Sequence, residues 1–329
     1  MNTFKSFESQ LYTVNENSFA NIALNLFRYQ AQNNPIYSSF IRHLGIQPDK
    51  IRSLSAIPFL PISFFKHQIV KTGDWEPEAV FSSSGTTGMI TSTHLIQNLS
   101  FYQQHSARCF EYFFGPISGY NFLALLPSYL ERKDSSLVAM MDYFIKKSGS
   151  PHSGFYLGNI DQLVSELKKL QTDPRKTILW GVSFALLDLA ETLRPDLSHC
   201  MIFETGGMKG RRKEIIRQEL HEVLCRELNV TQVYSEYGMT ELLSQSYTRG
   251  KERFYSPPWQ KIIGRDTSDP LQKGLQNETA GINVVDLANW HSVAFIETED
   301  MGKAFSDGSF EVLGRFDNSD VRGCNLLVE

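Results

Sequence analysis

The apolar positions change period several times along this chain, and each change marks an element. Residues 17–33 carry Phe19, Ile22, Ala23, Leu26, Phe27 and Gln30 at helical spacing, with Ser18 placed to cap the run and Asn33-Asn34-Pro35 placed to end it. Residues 57–70, IPFLPISFFKHQIV, set two prolines among large apolar side chains. That excludes a long helix and predicts extended chain packed on a core. Ala79-Val80-Phe81 is a short apolar run that leads into Ser82-Ser83-Ser84-Gly85-Thr86-Thr87-Gly88. Residues 98–114 read as an aromatic-rich helix with Phe101, His105, Cys109 and Phe113 toward the core. Residues 122–126 and 177–182 read as buried strands, 134–147 and 160–171 as helices, and Ser183 as the cap of a further helix. Residues 201–215 repeat the sequence of apolar strand, Gly206-Gly207 turn and helix, the helix running to about Leu228. Residues 230–243 give a strand, an aromatic-glycine turn and Thr240-Glu241.

Strands alternating with helices, with glycine turns after the strands, predict an α/β fold with a largely parallel sheet. Ligands of such sheets bind beyond the carboxyl ends of the strands. The turns at 82–88, 206–210 and 236–241 are expected at that edge. Later the pattern changes to short β-rich runs at 282–289, 291–300 and 309–316, separated by the turn signals Asn289-Trp290-His291 and Ser306-Asp307-Gly308. The expected organisation is an α/β region over 1–280 and an antiparallel β-rich subdomain over 281–329. Residues 249–280, polar and rich in Gly, Pro and Asp, read as a long loop.

Charge and cysteine usage narrow the function class. The chain has 329 residues, enough for a large core, and 36 acidic against 32 basic residues leave a net charge of −4. That balance argues against non-specific binding of nucleic acid or of anionic membranes, which calls for a basic surface. The four cysteines, Cys109, Cys200, Cys225 and Cys324, form no C-x-x-C pair, so neither a disulfide framework nor a zinc site is expected. The N-terminus has no apolar leader and no apolar run approaches a membrane span; the expectation is a soluble cytoplasmic protein.

Three places could carry chemistry. The 82–88 loop joins small hydroxyl side chains to flexible backbone, so it can offer several donors to a polyanion, or it can be a plain solvated loop. It lacks the Gly-Lys-Ser/Thr ending of the phosphate-binding P-loop. Lys66 reads either as a snorkelling surface lysine or as a cation aimed at phosphates. Glu241 reads either as a solvated acid at a helix start or as a ligand for a hard metal ion.

Four motifs taken together bring in a family. Ser82-Ser83-Ser84-Gly85-Thr86-Thr87-Gly88 resembles the phosphate-binding signature of the acyl-adenylate-forming superfamily, and Tyr237-Gly238-Met239-Thr240-Glu241 resembles its Tyr-Gly-x-Thr-Glu motif. Thr298-Glu299-Asp300 resembles its late Gly-Asp motif, with Glu where Gly is usual, and Gly314-Arg315-Phe316-Asp317 resembles its hinge motif. The four stand in the family's order. The resemblance implies that Ser83, Ser84, Gly85, Thr86, Thr87 and Gly88 bind the phosphates of ATP and that Glu241 holds Mg²⁺. It implies that Thr240 donates to the α-phosphate or the substrate carboxylate, that Gly206 and Gly207 let backbone approach the adenine, and that Tyr237 and Gly238 lie beside it. Asp300 would accept from the ribose hydroxyls, with Arg315 nearby. The reaction implied is attack of a carboxylate on the α-phosphorus of ATP, which gives an acyl-AMP and pyrophosphate.

The departures from the family pattern are specific. Met89-Ile90-Thr91 stands where Pro-Lys is usual, and the chain stops twelve residues after Asp317, where most members continue into a mobile domain with a catalytic lysine. That domain is expected to be absent here, with Lys66 as a candidate replacement cation. The layout is similar to the acyl-protein synthetase branch of bacterial bioluminescence systems, through Pro58-Phe59-Leu60-Pro61, Phe65-Lys66, Gly207-Met208-Lys209-Gly210 and a cysteine near the C-terminus. That branch implies a fatty acid substrate, transfer of the acyl group to Cys324, and a fatty-acyl reductase as acceptor. Arg322 could lower the Cys324 thiol pKa, although a cysteine there also suits a last strand as a small hydrophobe. Transfer to coenzyme A or a carrier protein, and a nucleotide-binding protein without turnover, are the competing expectations.

Overall fold

A computed structural model describes residues 7–83, 90–127, 132–206, 215–269 and 272–316. Contacts divide the chain into two compact units, Ser63–Pro257 on one side and Met1–Ile62 with Pro258–Glu329 on the other. The division therefore falls elsewhere than at the expected 280/281 boundary, and the first 62 residues belong with the C-terminal strands.

The N-terminal segment forms α1 (Phe7–Leu11), α2 (Glu16–Asn33), α3 (Pro35–His43) and the two-residue strand β1 (Leu60–Pro61). The cap of α2 is Asn15 rather than Ser18; Ser18 sits three residues into the helix and returns its hydroxyl to the Asn15 N–H, closing a capping box. Gln30 was one of the polar positions on the helical face, and it is fully buried. Its amide donates to the Asn289 carbonyl at 2.9 Å and accepts from the Ala294 N–H at 3.0 Å. Asn34 donates to Ser292 at 2.9 Å. These side chains satisfy the buried backbone of the 287–294 turn, which is why a sequence separation of some 260 residues closes into one unit.

The unit Ser63–Pro257 starts with α4 (Phe64–His67) and the antiparallel hairpin β2 (Ala79–Ser82) and β3 (Thr93–Ile96). It continues with α5 (Leu99–Phe114), β4 (Tyr120–Leu125), α6 (Ser136–Ser148), β5 (Gly154–Phe155), α7 (Ile160–Lys169), β6 (Lys176–Val182), α8 (Ser183–Thr192), β7 (Cys200–Thr205), α9 (Arg217–Leu228), β8 (Val233–Tyr237), β9 (Ser246–Thr248) and β10 (Phe254–Tyr255). Strands β5, β4, β6, β7 and β8 lie side by side and parallel; β9 and β10 extend the order antiparallel. Every residue of β4 is buried, as expected for a parallel strand covered on both faces. Against the sheet α5 lays Phe110, which meets Phe122, Phe144, Trp180 and Phe203; Trp180 and Phe203 stack at 4.6 Å. His105 and Cys109 are buried in that helix, the ring bonded to Ser244 at 2.8 Å.

Two expectations need correction in this unit. Strand β2, which leads to Ser83, pairs antiparallel with β3 in a separate two-stranded sheet and is not one of the parallel strands; residues 84–88 of the serine loop lie outside the described residues. Ser183 begins α8 but makes no capping hydrogen bond, because its hydroxyl is directed to the end of β7.

The chain then returns to the first unit through β11 (Gln260–Arg265), β12 (Lys273–Leu275), β13 (Ala280–Asp286), β14 (Phe295–Ala304) and β15 (Phe310–Arg315). The order β12-β11-β13-β14-β15 is antiparallel throughout, and β1 adds to β14 in parallel. The expected loop at 249–280 thus holds strands β10, β11 and β12; its turn residues flank those strands rather than replace them. Among the described residues no helix is long and apolar enough to cross a membrane.

Candidate functional site

In the unit Ser63–Pro257, the turn 237–241 is the centre of the candidate site. It leaves the carboxyl end of β8 and turns back toward β9, the Leu242 N–H closing on the Met239 carbonyl at 3.2 Å. Tyr237 is buried and its ring lies 5.8 Å from Phe254, so most of its aromatic face is committed to packing. Gly238 leaves room for a neighbour: a Cβ there would run into the Glu236 carboxyl. Glu241 lies in the turn and is only 5% exposed, so it is not the solvated helix-start acid of the competing reading. Among the described residues, no backbone acceptor meets the N–H of Gly238, Met239 or Thr240. Three successive donors at a strand end suit an anion.

The hairpin that carries the serine loop is tied to this turn by a residue that the sequence did not single out. His94 on β3 is buried, and its Nδ1 meets the Thr240 carbonyl at 2.8 Å. Burial lowers its pKa to about 4, so at neutral pH the ring is uncharged and Nδ1–H donates to that carbonyl. The same ring packs edge-on against Phe65 at 5.5 Å, next to the half-buried Lys66 on α4. His94 thus touches the turn and the α4 segment from the strand that closes the hairpin. At the base of the hairpin, Ser83 donates its N–H to Ser92 and accepts from the Ser92 N–H through Oγ at 2.9 Å. That leaves the Ser83 O–H as a donor. Ser84, Gly85, Thr86, Thr87, Gly88, Gly207 and Cys324 lie outside the described residues.

Two buried acids stand behind the strand ends. Gly206 follows β7 with φ +73°, a conformation that favours glycine. Its carbonyl is 3.1 Å from Ser183 Oγ, which also reaches Glu204 at 3.2 Å. Glu204 has His221 at 3.5 Å, and Ser235 meets the same imidazole nitrogen at 3.2 Å. Glu236 points to the other face of the sheet and accepts from the Thr205 hydroxyl. Burial raises its carboxyl pKa to about 7; the Thr205 bond opposes that rise and the nearby Glu204 adds to it. A sequence signal for both acids existed: charged residues inside otherwise apolar strand patterns.

In the other unit, two of the motifs meet. Asp300 on β14 and Arg315 on β15 are register partners, and Arg315 Nε lies 3.4 Å from Asp300 Oδ1. Asp300 is nearly buried, whereas the arginine side chain is 69% exposed. Beneath them the sequence reading missed Arg265, a buried arginine at the end of β11. It donates to the Thr298 carbonyl at 2.8 Å and the Ile282 carbonyl at 3.1 Å, and its guanidinium lies where a Cβ on Gly281 would stand. Arg265 therefore fixes the backbone two residues before Asp300.

The donor chemistry bears on Mg²⁺. A hard divalent ion shared with phosphates needs one or two protein carboxylates. Glu241 supplies one, and among the described residues no group of three or more His, Cys, Asp or Glu could cage a metal. Glu241 is the residue that could hold such an ion together with phosphate oxygens.

No family model and no curated protein matches the sequence. Solved structures do share its fold. A 2-hydroxyisobutyryl-CoA ligase, in complex with 2-HIB-AMP and CoA, aligns over 92% of this chain and 68% of its own, at 14% identity and a TM-score of 0.69. ATP-bound MatB from Rhodopseudomonas palustris aligns over 72% of this chain at 15% identity with a TM-score of 0.54. The luciferase-like enzyme of the nonluminescent mealworm Zophobas morio aligns over 75% at 16% identity with a TM-score of 0.51. The chain spans about half of MatB, 48%, and 60% of the mealworm enzyme. The fold is that of adenylate-forming enzymes, a mixed α/β architecture with a large sheet.

Proposed function

We propose that this chain activates a carboxylic acid with ATP and passes the acyl group to a protein thiol. The observation that carries this reading is the turn 237–241, where three successive backbone donors and the Glu241 carboxylate stand together at the end of a parallel strand. Solved neighbours bearing ATP or an acyl adenylate support it. In the first step a carboxylate oxygen of the acid attacks the α-phosphorus. The bond from that phosphorus to the bridging oxygen breaks, and pyrophosphate leaves with the electron pair. The turn donors and Thr240 stabilise charge on the phosphate oxygens, and the serine loop is the proposed cradle of the β- and γ-phosphates. Mg²⁺, when held by Glu241, supplies charge neutralisation on those phosphates. His94 holds Thr240 in place, and Asp300 is the proposed acceptor for the ribose hydroxyls.

In the second step the Cys324 thiolate attacks the acyl carbonyl carbon, the carbonyl–phosphate oxygen bond breaks, and AMP leaves. The acid is proposed to be a fatty acid, the final acceptor a partner protein such as a fatty-acyl reductase, and the setting the cytoplasm. The support for this half is the resemblance to acyl-protein synthetases and the Gly323-Cys324 sequence beside Arg322. A second reading, transfer to coenzyme A, is favoured by the CoA-bound state of the 2-hydroxyisobutyryl-CoA ligase. Pyrophosphate exchange across a panel of acids tests the first step; no exchange with any acid would refute activation. Intact mass after incubation with ATP, Mg²⁺ and fatty acid tests the second. A hydroxylamine-labile adduct lost in Cys324→Ser is expected, whereas turnover that needs coenzyme A and survives that substitution would refute transfer to Cys324.

A further inference from the structure

Glu236 is the one acid of the turn region that the reaction above leaves without a role. Its register partners are Thr205 on β7 and Tyr247 on β9, so the three side chains share one face of the sheet. Helix α5 covers that face with Tyr102, His105 and Cys109. Among the described residues no cation acts on Glu236, and the charge that does, Glu204, is of the same sign. A buried carboxyl in that setting takes up a proton rather than stay charged. One oxygen accepts from Thr205, and the other lies against Gly238, where no Cβ fits.

Resting on the reading of the turn 237–241 as a nucleotide site, we propose that Glu236 is a positioning residue. It braces the Gly238 backbone from behind as an uncharged carboxylic acid, and nucleotide binding keeps it in that form. The physical reason is electrostatic. A carboxylate directly behind donors that face a polyphosphate would oppose binding, and a carboxylic acid does not. ATP binding above neutral pH must then be accompanied by uptake of a proton at Glu236. The other groups facing it do not supply that proton. Burial pushes the Tyr102 and Tyr247 phenols above their ordinary value and His105 down to about 3, so none of the three changes charge between pH 5 and 8.

The test is calorimetry of ATP binding to the full chain in buffers of different ionisation enthalpy, at pH 6 to 8.5. Wild type is expected to take up a proton increasingly as the pH passes about 7, and Glu236→Gln, which keeps the shape and the bond to Thr205, to bind ATP without that uptake. The ATP affinity of wild type relative to Glu236→Gln should fall about tenfold over the range. Uptake unchanged in Glu236→Gln overturns the proposal. So does loss of ATP binding in Glu236→Gln with wild-type circular dichroism and melting, since charge would then be needed. Carbon-13 carboxyl resonances of glutamate-labelled protein give a readout that needs no ligand. A resonance titrating near neutrality, missing in Glu236→Gln, is expected, and its absence from wild type refutes the uncharged acid. A wild type that shows this resonance but binds no ATP at any pH refutes the nucleotide reading, and the nucleotide-linked part of the proposal with it.

Discussion

The charge state of Glu236 also has a consequence for stability that can be worked out in sign and size. Its pKa is about 7 in the folded protein against an ordinary 4.5. Below 4.5 both the folded and the unfolded chain hold the proton, and the group makes no difference. Between 4.5 and 7 the unfolded chain releases it first, so stability falls as the pH rises, and above 7 the loss is complete. At 1.36 kcal/mol per unit, the loss comes to about 3 kcal/mol, a large share of the ~5–15 kcal/mol that holds a typical protein together. Glu236→Gln removes the titration while keeping an acceptor for the Thr205 hydroxyl. Urea unfolding of both proteins from pH 4 to 8, followed by tryptophan fluorescence, reads the difference. The unfolding free energy of the variant minus that of wild type should rise by about 3 kcal/mol across the range and level off above pH 7. Parallel pH profiles for the two proteins would show that the carboxyl is ionised in the fold and sink the argument.

Other positions give sharper or simpler outcomes. Gly238→Ala drives a methyl group into the Glu236 carboxyl, so either that side chain or the turn must shift; ATP affinity is expected to fall about tenfold, measured by calorimetry, with the melting point little changed. His94→Leu removes the donor to the Thr240 carbonyl and leaves a part-buried acceptor without it, with an expected cost of about 1 kcal/mol in chemical denaturation and a matching loss of pyrophosphate exchange. Because the ring is neutral above about pH 4, its loss should not change the shape of the exchange profile between pH 6 and 8. Arg265→Leu strips the buried Thr298 carbonyl of its donor and leaves the Ile282 carbonyl with the Thr298 hydroxyl alone, so it should destabilise the chain by about 1–3 kcal/mol, whereas Arg315→Ala, whose side chain is largely exposed, should change stability by less than about 1 kcal/mol.

The parallel strands could be read directly because burial on both faces writes them as continuous apolar runs, as in 120–125 and 177–182. The amphipathic helices were equally plain. What the chain hid depends on partners far away in sequence. Gln260–Arg265 looked like loop because Pro257-Pro258 and a Gly- and Asp-rich stretch flank it; its strand character comes from pairing with Ala280–Asp286. Ser183 stands where a cap belongs, and only the fold reveals a second claimant for its hydroxyl at the end of β7. Gln30 read as one more residue of a helical face, whereas its amide serves a turn some 260 residues away. Of the candidate site, Asp300 and Arg315, named from motif order, turn out to be register partners on neighbouring strands. A lone histidine such as His94 carries no local signal, because its partner is a backbone carbonyl on another strand.

These hidden residues share one physical task. A turn that offers backbone N–H groups to an anion needs its other groups held, or it relaxes to satisfy its own donors. Here the Gly206 carbonyl is met by Ser183, the Thr240 carbonyl by His94, and Gly238 lies against the Glu236 carboxyl. The three ties come from α8, β3 and β8, so no one element sets the geometry alone. None of the three supports is a fixed charge: Ser183 is uncharged, burial keeps His94 neutral, and burial raises the Glu236 carboxyl to about 7, so the acid form persists up to neutrality. Neutral supports behind a polyanion site add neither repulsion nor a competing cation. In the proposed site, the Gly, Thr and Glu of the motif are therefore only the visible half, and the side chains that hold the turn, Ser183, His94 and Glu236, belong to no motif at all.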